Sequence, residues 1–154
     1  MSANYLEYFA ASMVENLSEM AGMEAQSNPP APQETAFASK GFAVIIGITG
    51  KRAGRVILDT REETARKLSA AINGEECDEE FVLDTMAELT NIVSGNGITT
   101  VNNNNPGMGM MLTPPSIFIG SELTLVSPKL NAEVVTVTTP VGEILLSIGF
   151  EGGK

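Results

Sequence analysis

The residue pattern predicts an α+β fold of mixed α/β layers, in which a largely antiparallel β-sheet packs against about three helices. Three observations carry that prediction. Apolar residues recur at three- and four-residue steps near the N-terminus and twice more in the middle of the chain. β-Branched runs of strand length cluster in two groups, one between the first and second helical patterns and one after the third. No internal repeat with a period of about 20–50 residues is visible, so a solenoid or propeller is not indicated.

The elements follow in order. Tyr5, Leu6, Phe9, Met13, Leu17 and Met20 line one helical stripe, with Glu7, Glu15 and Glu19 mostly between them, so residues 4–21 read as an amphipathic helix. Gly22 is its stop. Residues 26–35 form a polar, Pro-rich connector whose Pro29, Pro30 and Pro32 no helix can cross. Phe42 to Ile48 is almost continuously apolar and reads as a buried strand, Gly50 to Gly54 as a turn, and Arg55 to Leu58 as the returning arm of a hairpin. Thr60 with Glu63 suggests a capping box, opening a helix that ends at Asn73-Gly74.

A third helix begins at Asp78, with Glu79 and Glu80 favourably placed against its dipole, and continues to Ser94 or beyond. Gly95-Asn96-Gly97 and the run Asn102 to Asn105 before Pro106-Gly107 read as loop. Thr113-Pro114-Pro115 leads into Ser116 to Ile119. Glu122 to Val126, Glu133 to Thr138 and Glu143 to Gly149 are further strands, separated by turns at Pro128 and at Pro140-Val141-Gly142.

Composition limits the chemistry. Of 154 residues 43% are hydrophobic, enough for one packed domain over residues 1–154. Nine basic residues against nineteen acidic ones give a net charge of −10, a field that repels nucleic acid and anionic lipid. The absence of His and the single Cys77 remove the usual ligands of zinc, copper or haem and exclude His-based acid–base catalysis. No metal site of its own is expected. One cysteine fits a reducing compartment, Met1 to Asn4 lacks the start of a signal peptide, and no apolar run is long enough to span a bilayer. The expectation is a cytoplasmic protein with no membrane partner, whose chemistry rests on carboxylates, amides, hydroxyls or a borrowed metal.

Two motifs reduce to structure. Gly47 to Arg52 contains a Gly-Lys pair but lacks the earlier glycine and the Ser or Thr of a phosphate loop, so a hairpin turn accounts for it. Met108, Met110 and Met111 could form an adaptable binding surface but are better read as gap fillers beneath a loop. The third helix carries more. Asp84, Glu88, Asn91 and Gly95 are spaced four, three and four apart and share one face. That face sets an acceptor-only carboxylate beside an amide that both donates and accepts. With 16 Glu and 11 Asn, about one Glu-x-x-Asn is expected by chance. The spacing alone decides nothing, but Gly95-Asn96 stands where an ordinary helix prefers Ala or Lys.

Asp84-x-x-x-Glu88-x-x-Asn91-x-x-x-Gly95-Asn96 resembles the signature helix of the CheX branch of the CheC/CheX/FliY phosphatases. The helix ending in Met20-Ala21-Gly22 and the segment Thr113 to Gly120 are similar in order and spacing, so the resemblance covers most of the chain. It implies a CheC/CheX-like sheet and helices, and a phosphatase that strips the phospho-aspartyl group from a CheY-like response regulator. Asn91 would orient the hydrolytic water and Glu88 would pair with the receiver's lysine. Asp84 is read as helix support or, with Gly95 and Asn96, as partner-binding surface. The chain needs no cofactor of its own, because the Mg²⁺ belongs to the receiver. The resemblance also implies a homodimer joined through sheet edges, for which Val134 to Val137 offers a candidate strand. CheC-type members carry two signature helices. Here Ser18 follows Glu15 where the second would need Asn, so one active centre is expected. The Asn102 to Gly109 loop looks longer than the family's. A non-catalytic adaptor and a flagellar-switch-type structural component are the alternatives.

Overall fold

In the computed structural model, which describes residues 5–126 and 130–151, the chain forms three helices and ten strands. Their order is α1 (Tyr5–Ala21), β1 (Gln26–Ser27), β2 (Ala31–Pro32), β3 (Ala36–Ala38), β4 (Phe42–Thr49) and β5 (Gly54–Thr60). α2 (Glu62–Asn73) and α3 (Glu79–Asn104) follow, then β6 (Met111–Leu112), β7 (Ser116–Ile119), β8 (Thr124–Val126), β9 (Leu130–Thr139) and β10 (Gly142–Glu151). The turn expected at Pro128 lies outside the described residues.

The main sheet is antiparallel throughout, in the order β1-β9-β10-β5-β4-β6, with β2 also on β9 and β7 also on β4. Strand alternation sends Val44, Ile46 and Ile48 of β4 and Val56 and Leu58 of β5 into one core with Phe9, Met13, Leu17, Leu68, Met86, Leu89 and Val93 of the helices. The alternate residues Ala43, Ile45 and Ile57 face the other way and are covered by a β3–β8 ribbon carrying Phe37 and Leu125. Helices on one side and a ribbon on the other make a layered α+β molecule. The β4–β5 and β9–β10 hairpins pair as their turn residues predict.

Asp59 lies on the ribbon side, only 1% exposed. Its carboxylate accepts from Ser39 Oγ at 2.6 Å and from the Lys40 backbone N–H at 2.9 Å, which pins the approach to β4 onto β5. Burial raises its pKa above the usual carboxylate value, and the two hydrogen bonds and the Lys40 charge oppose the rise.

Four expectations change. Thr60 is not a cap: it ends β5, its hydroxyl donates to the Glu143 carbonyl at 2.7 Å, and Arg61 is the N-cap without a side-chain bond. The Pro-rich connector is not loop alone, since Gln26–Ser27 and Ala31–Pro32 pair with β9. Those pairings occupy the side of β9 away from β10, so Val134 to Val137 is not an open edge. Finally, Gly95-Asn96-Gly97 and Asn102 to Asn104 are helical, and the loop shrinks to the residues between Asn104 and Met111. Met110 in that loop is buried and Met108 packs against the core, but Met111 is 66% exposed.

A carboxylate–amide face on the third helix

α3 begins where Asp78 caps it, Oδ1 accepting from the Phe81 N–H at 2.8 Å. Its inner stripe, Val82, Met86, Leu89, Val93 and Val101, is buried at 6% exposure or less. Against α2, Asn73 Nδ2 donates to Thr85 Oγ1 at 2.9 Å. Against α1, Ser12 Oγ donates to the Val93 carbonyl at 3.1 Å. The closest approach comes at Gly97, where an added Cβ would stand 2.7 Å from the Phe9 ring. A residue with any side chain there would push α1 away, so the glycine is fixed by packing rather than by a turn.

The last turns of α3 are held by side chains. Asn102 grips Met110 twice, its Oδ1 accepting from the Met110 N–H at 2.9 Å and its Nδ2 donating to the Met110 carbonyl at 3.1 Å. Asn104 Nδ2 reaches Tyr8 Oη at 3.3 Å, and Asn105 Nδ2 returns to the Val101 carbonyl at 2.9 Å. None of these supports was anticipated from the sequence. Asn102 to Asn105 read as loop, and the density of Asn there is the one signal that could have pointed to these bonds.

The opposite face is in solvent. Asp84, Glu88, Asn91 and Asn96 are exposed and Gly95 half-exposed; Asp84, Glu88, Asn91 and Gly95 line one accessible flank of the helix, and Asn96, one position after Gly95, is turned about 100° away from it. Among the described residues the side chains of Asp84, Glu88, Asn91 and Asn96 make no hydrogen bond or ion pair. Glu15 and Ser18 of α1 are also exposed, but Asn16 between them is buried and donates to the Ser12 carbonyl at 2.8 Å, so it serves packing. Among the described residues no group of three or more Cys, Asp or Glu side chains could hold a metal ion. No helix in the same residues is long and apolar enough to cross a membrane.

A convex, charged helix face held rigid from behind suits a macromolecular surface better than a small ligand, which wants a concavity. The class so defined is a layered α+β protein with an exposed carboxylate–amide helix face. The family model described as chemotaxis phosphatase CheX matches residues 42–139, well over half of the chain, and this protein belongs to that family. It is 27% identical over 130 residues to the CheY-P phosphatase CheX of Thermotoga maritima, covering 82% of this chain and 83% of that one. A chemotaxis protein CheX from Desulfovibrio desulfuricans shares the fold at a TM-score of 0.87 and 21% identity, over 97% of this chain and 100% of its own. The crystal structure of the CheX–CheY–BeF₃–Mg²⁺ complex from Borrelia burgdorferi contains a chain that matches at a TM-score of 0.84 and 27% identity, over 98% of this chain and 100% of its own. The CheC/CheX-like architecture expected from the signature helix is thus the one found.

Proposed function

We propose that this protein is a phosphatase that removes the phosphoryl group from the aspartate of a CheY-like receiver, with the outer face of α3 as its active surface. The observation that carries the reading is the pair Glu88 and Asn91, exposed and unpartnered on a helix anchored from behind, in a member of the CheX family. The Thermotoga relative acts on CheY-P and the Borrelia complex holds CheX with CheY, which favours a receiver as partner here.

Hydrolysis of an acyl phosphate asks for a water held in line with the leaving carboxylate oxygen, not for a nucleophile supplied by a second protein. In this reading the Asn91 amide, donor and acceptor together, orients that water. Glu88 pairs with the receiver's lysine and sets the docking register. Asp84, Gly95 and Asn96 extend the contact by one turn on either side. The Mg²⁺ is held by the receiver, which is how a chain without His serves a metal-dependent reaction. The protein works in the cytoplasm and as a homodimer joined through a sheet edge. With β9 covered by β1 and β2, the edge formed by β6 and β7 is the candidate, and β7 carries the exposed Phe118 and Ile119. A single monomeric species in sedimentation at micromolar concentration would rule the dimer out.

The test follows phosphate loss from a phosphorylated CheY-like receiver with wild type, Asn91→Ala and Glu88→Ala. Asn91→Ala is expected to lose about 100-fold or more of the stimulated rate, the lower range for a positioned catalytic group, with receiver binding retained. Glu88→Ala is expected to weaken both binding and turnover. Full activity in Asn91→Ala would refute the water-orienting role. Binding without acceleration by the wild type would make the protein an adaptor.

A further inference from the structure

A glycine inside a helix needs a reason, because it forfeits backbone entropy that Ala would not. For most glycines here the reason is internal. Gly22, Gly74, Gly107 and Gly109 adopt positive φ, and Gly47 and Gly97 have no room for a Cβ against Thr113 and Phe9. Among the glycines whose surroundings are described, Gly95 alone has neither a positive φ nor any atom within 4 Å of where its Cβ would be. Nothing among the described residues requires it.

Its position supplies an external reason. Gly95 follows Asn91 by four residues on the exposed flank of α3. Helical Cα–Cβ bonds tilt toward the N-terminus, so a side chain at 95 would lie back over the turn that carries Asn91. An Asn side chain is short. Its amide can hold a water against a phosphoryl group only if the partner's surface comes close to the helix backbone at that turn.

We infer that Gly95 is a positioning residue: its missing side chain is the clearance through which the receiver's aspartyl-phosphate loop reaches the Asn91 amide. This rests on the reading of α3 as a receiver-docking surface and adds what limits access to it. A bulkier residue at 95 leaves the fold intact, stabilises the isolated helix and obstructs the partner. Stability and activity then move in opposite directions, which a structural role for Gly95 would not produce.

The experiment compares wild type, Gly95→Ala and Gly95→Leu by thermal melting, by turnover of a CheY-like receiver phosphorylated with acetyl phosphate, and by the Kd for the same receiver carrying beryllofluoride. Both variants are expected to melt about 3 °C higher than wild type. Gly95→Leu is expected to lose about tenfold or more in kcat/KM and to bind beryllofluoride-bound receiver correspondingly more weakly, with Gly95→Ala between it and wild type. A Gly95→Leu protein that melts no lower than wild type and keeps both rate and Kd overturns the inference while the phosphatase reading stands. One that melts lower than wild type returns Gly95 to a structural role and overturns it too. If the wild type binds the receiver without speeding its dephosphorylation, the phosphatase reading falls, and an unchanged Kd in Gly95→Leu then rejects the clearance separately.

Discussion

Residues 79–92 of α3 and residues 93–104 of the same helix are held in place by different physics. The first stretch holds three Glu, two Leu, a Met and an Ala, begins at an Asp cap and places its acids against the helix dipole. The second contains two Gly, four Asn, two Thr, a Ser and three β-branched apolar residues, and not one strong helix former. It is helical because of what surrounds it. Val93, Gly97 and Val101 sit at four-residue steps, all buried, with Gly97 receiving Phe9 of α1. Thr99 and Thr100 return their hydroxyls to the carbonyls of Gly95 and Asn96, and Asn102 fastens the last turn to Met110. One half of the helix has local preference as well as packing in its favour, and the other depends on tertiary contact. Glu88 and Asn91 stand just before the junction.

That contrast is open to direct attack. Gly97→Val, which drives a branched side chain into Phe9, is expected to cost about 3 kcal/mol and to show in chemical denaturation as a lowered midpoint. A midpoint unchanged from wild type would mean that α1 is free to move away and the second half is not held by packing. Asn102→Ala removes both bonds to Met110 and is expected to cost about 2 kcal/mol, with faster amide exchange concentrated in the last turns of α3. Exchange that speeds evenly along the helix would erase the distinction between the halves. Asp78→Ala, a change at the locally determined end, is expected to cost about 1 kcal/mol and to leave the exchange of residues 97–104 unaltered. A loss of protection there would couple the two ends after all.

The same division explains what could be read from residues alone. The cap at Asp78, the Gly74 stop, the two hairpins and the Glu88–Asn91 face depend on neighbours within a few positions, and the sequence displays them. The continuation of α3 through Gly95-Asn96-Gly97 depends on Phe9 and Ser12, some eighty residues away, and local rules pointed to a loop instead. The two-residue strands β1 and β2 were invisible for a related reason. Their pairing satisfies β9 rather than expressing any strand preference of Gln26, Ser27, Ala31 or Pro32. For the candidate site, the residue types and their order were legible, whereas its rigidity was not, because the supports lie on α1 and in the segment after α3.

The connector on β9 bears on how large an assembly can grow. Asn28 and Gln33 donate backbone N–H groups to Thr136 and Ala132, so the chain consumes the edge hydrogen bonds of β9 itself, while Pro29, Pro30 and Pro32 have no N–H to offer outward. A sheet blunted on one side and open on the other can join one copy of itself about a two-fold axis, and the joined pair then presents blunted sides at both ends. In a homodimer of the proposed kind, stacking by edge pairing would stop at two subunits. The prolines that break up the sequence after the first helix would thereby also act as a terminator against fibre growth.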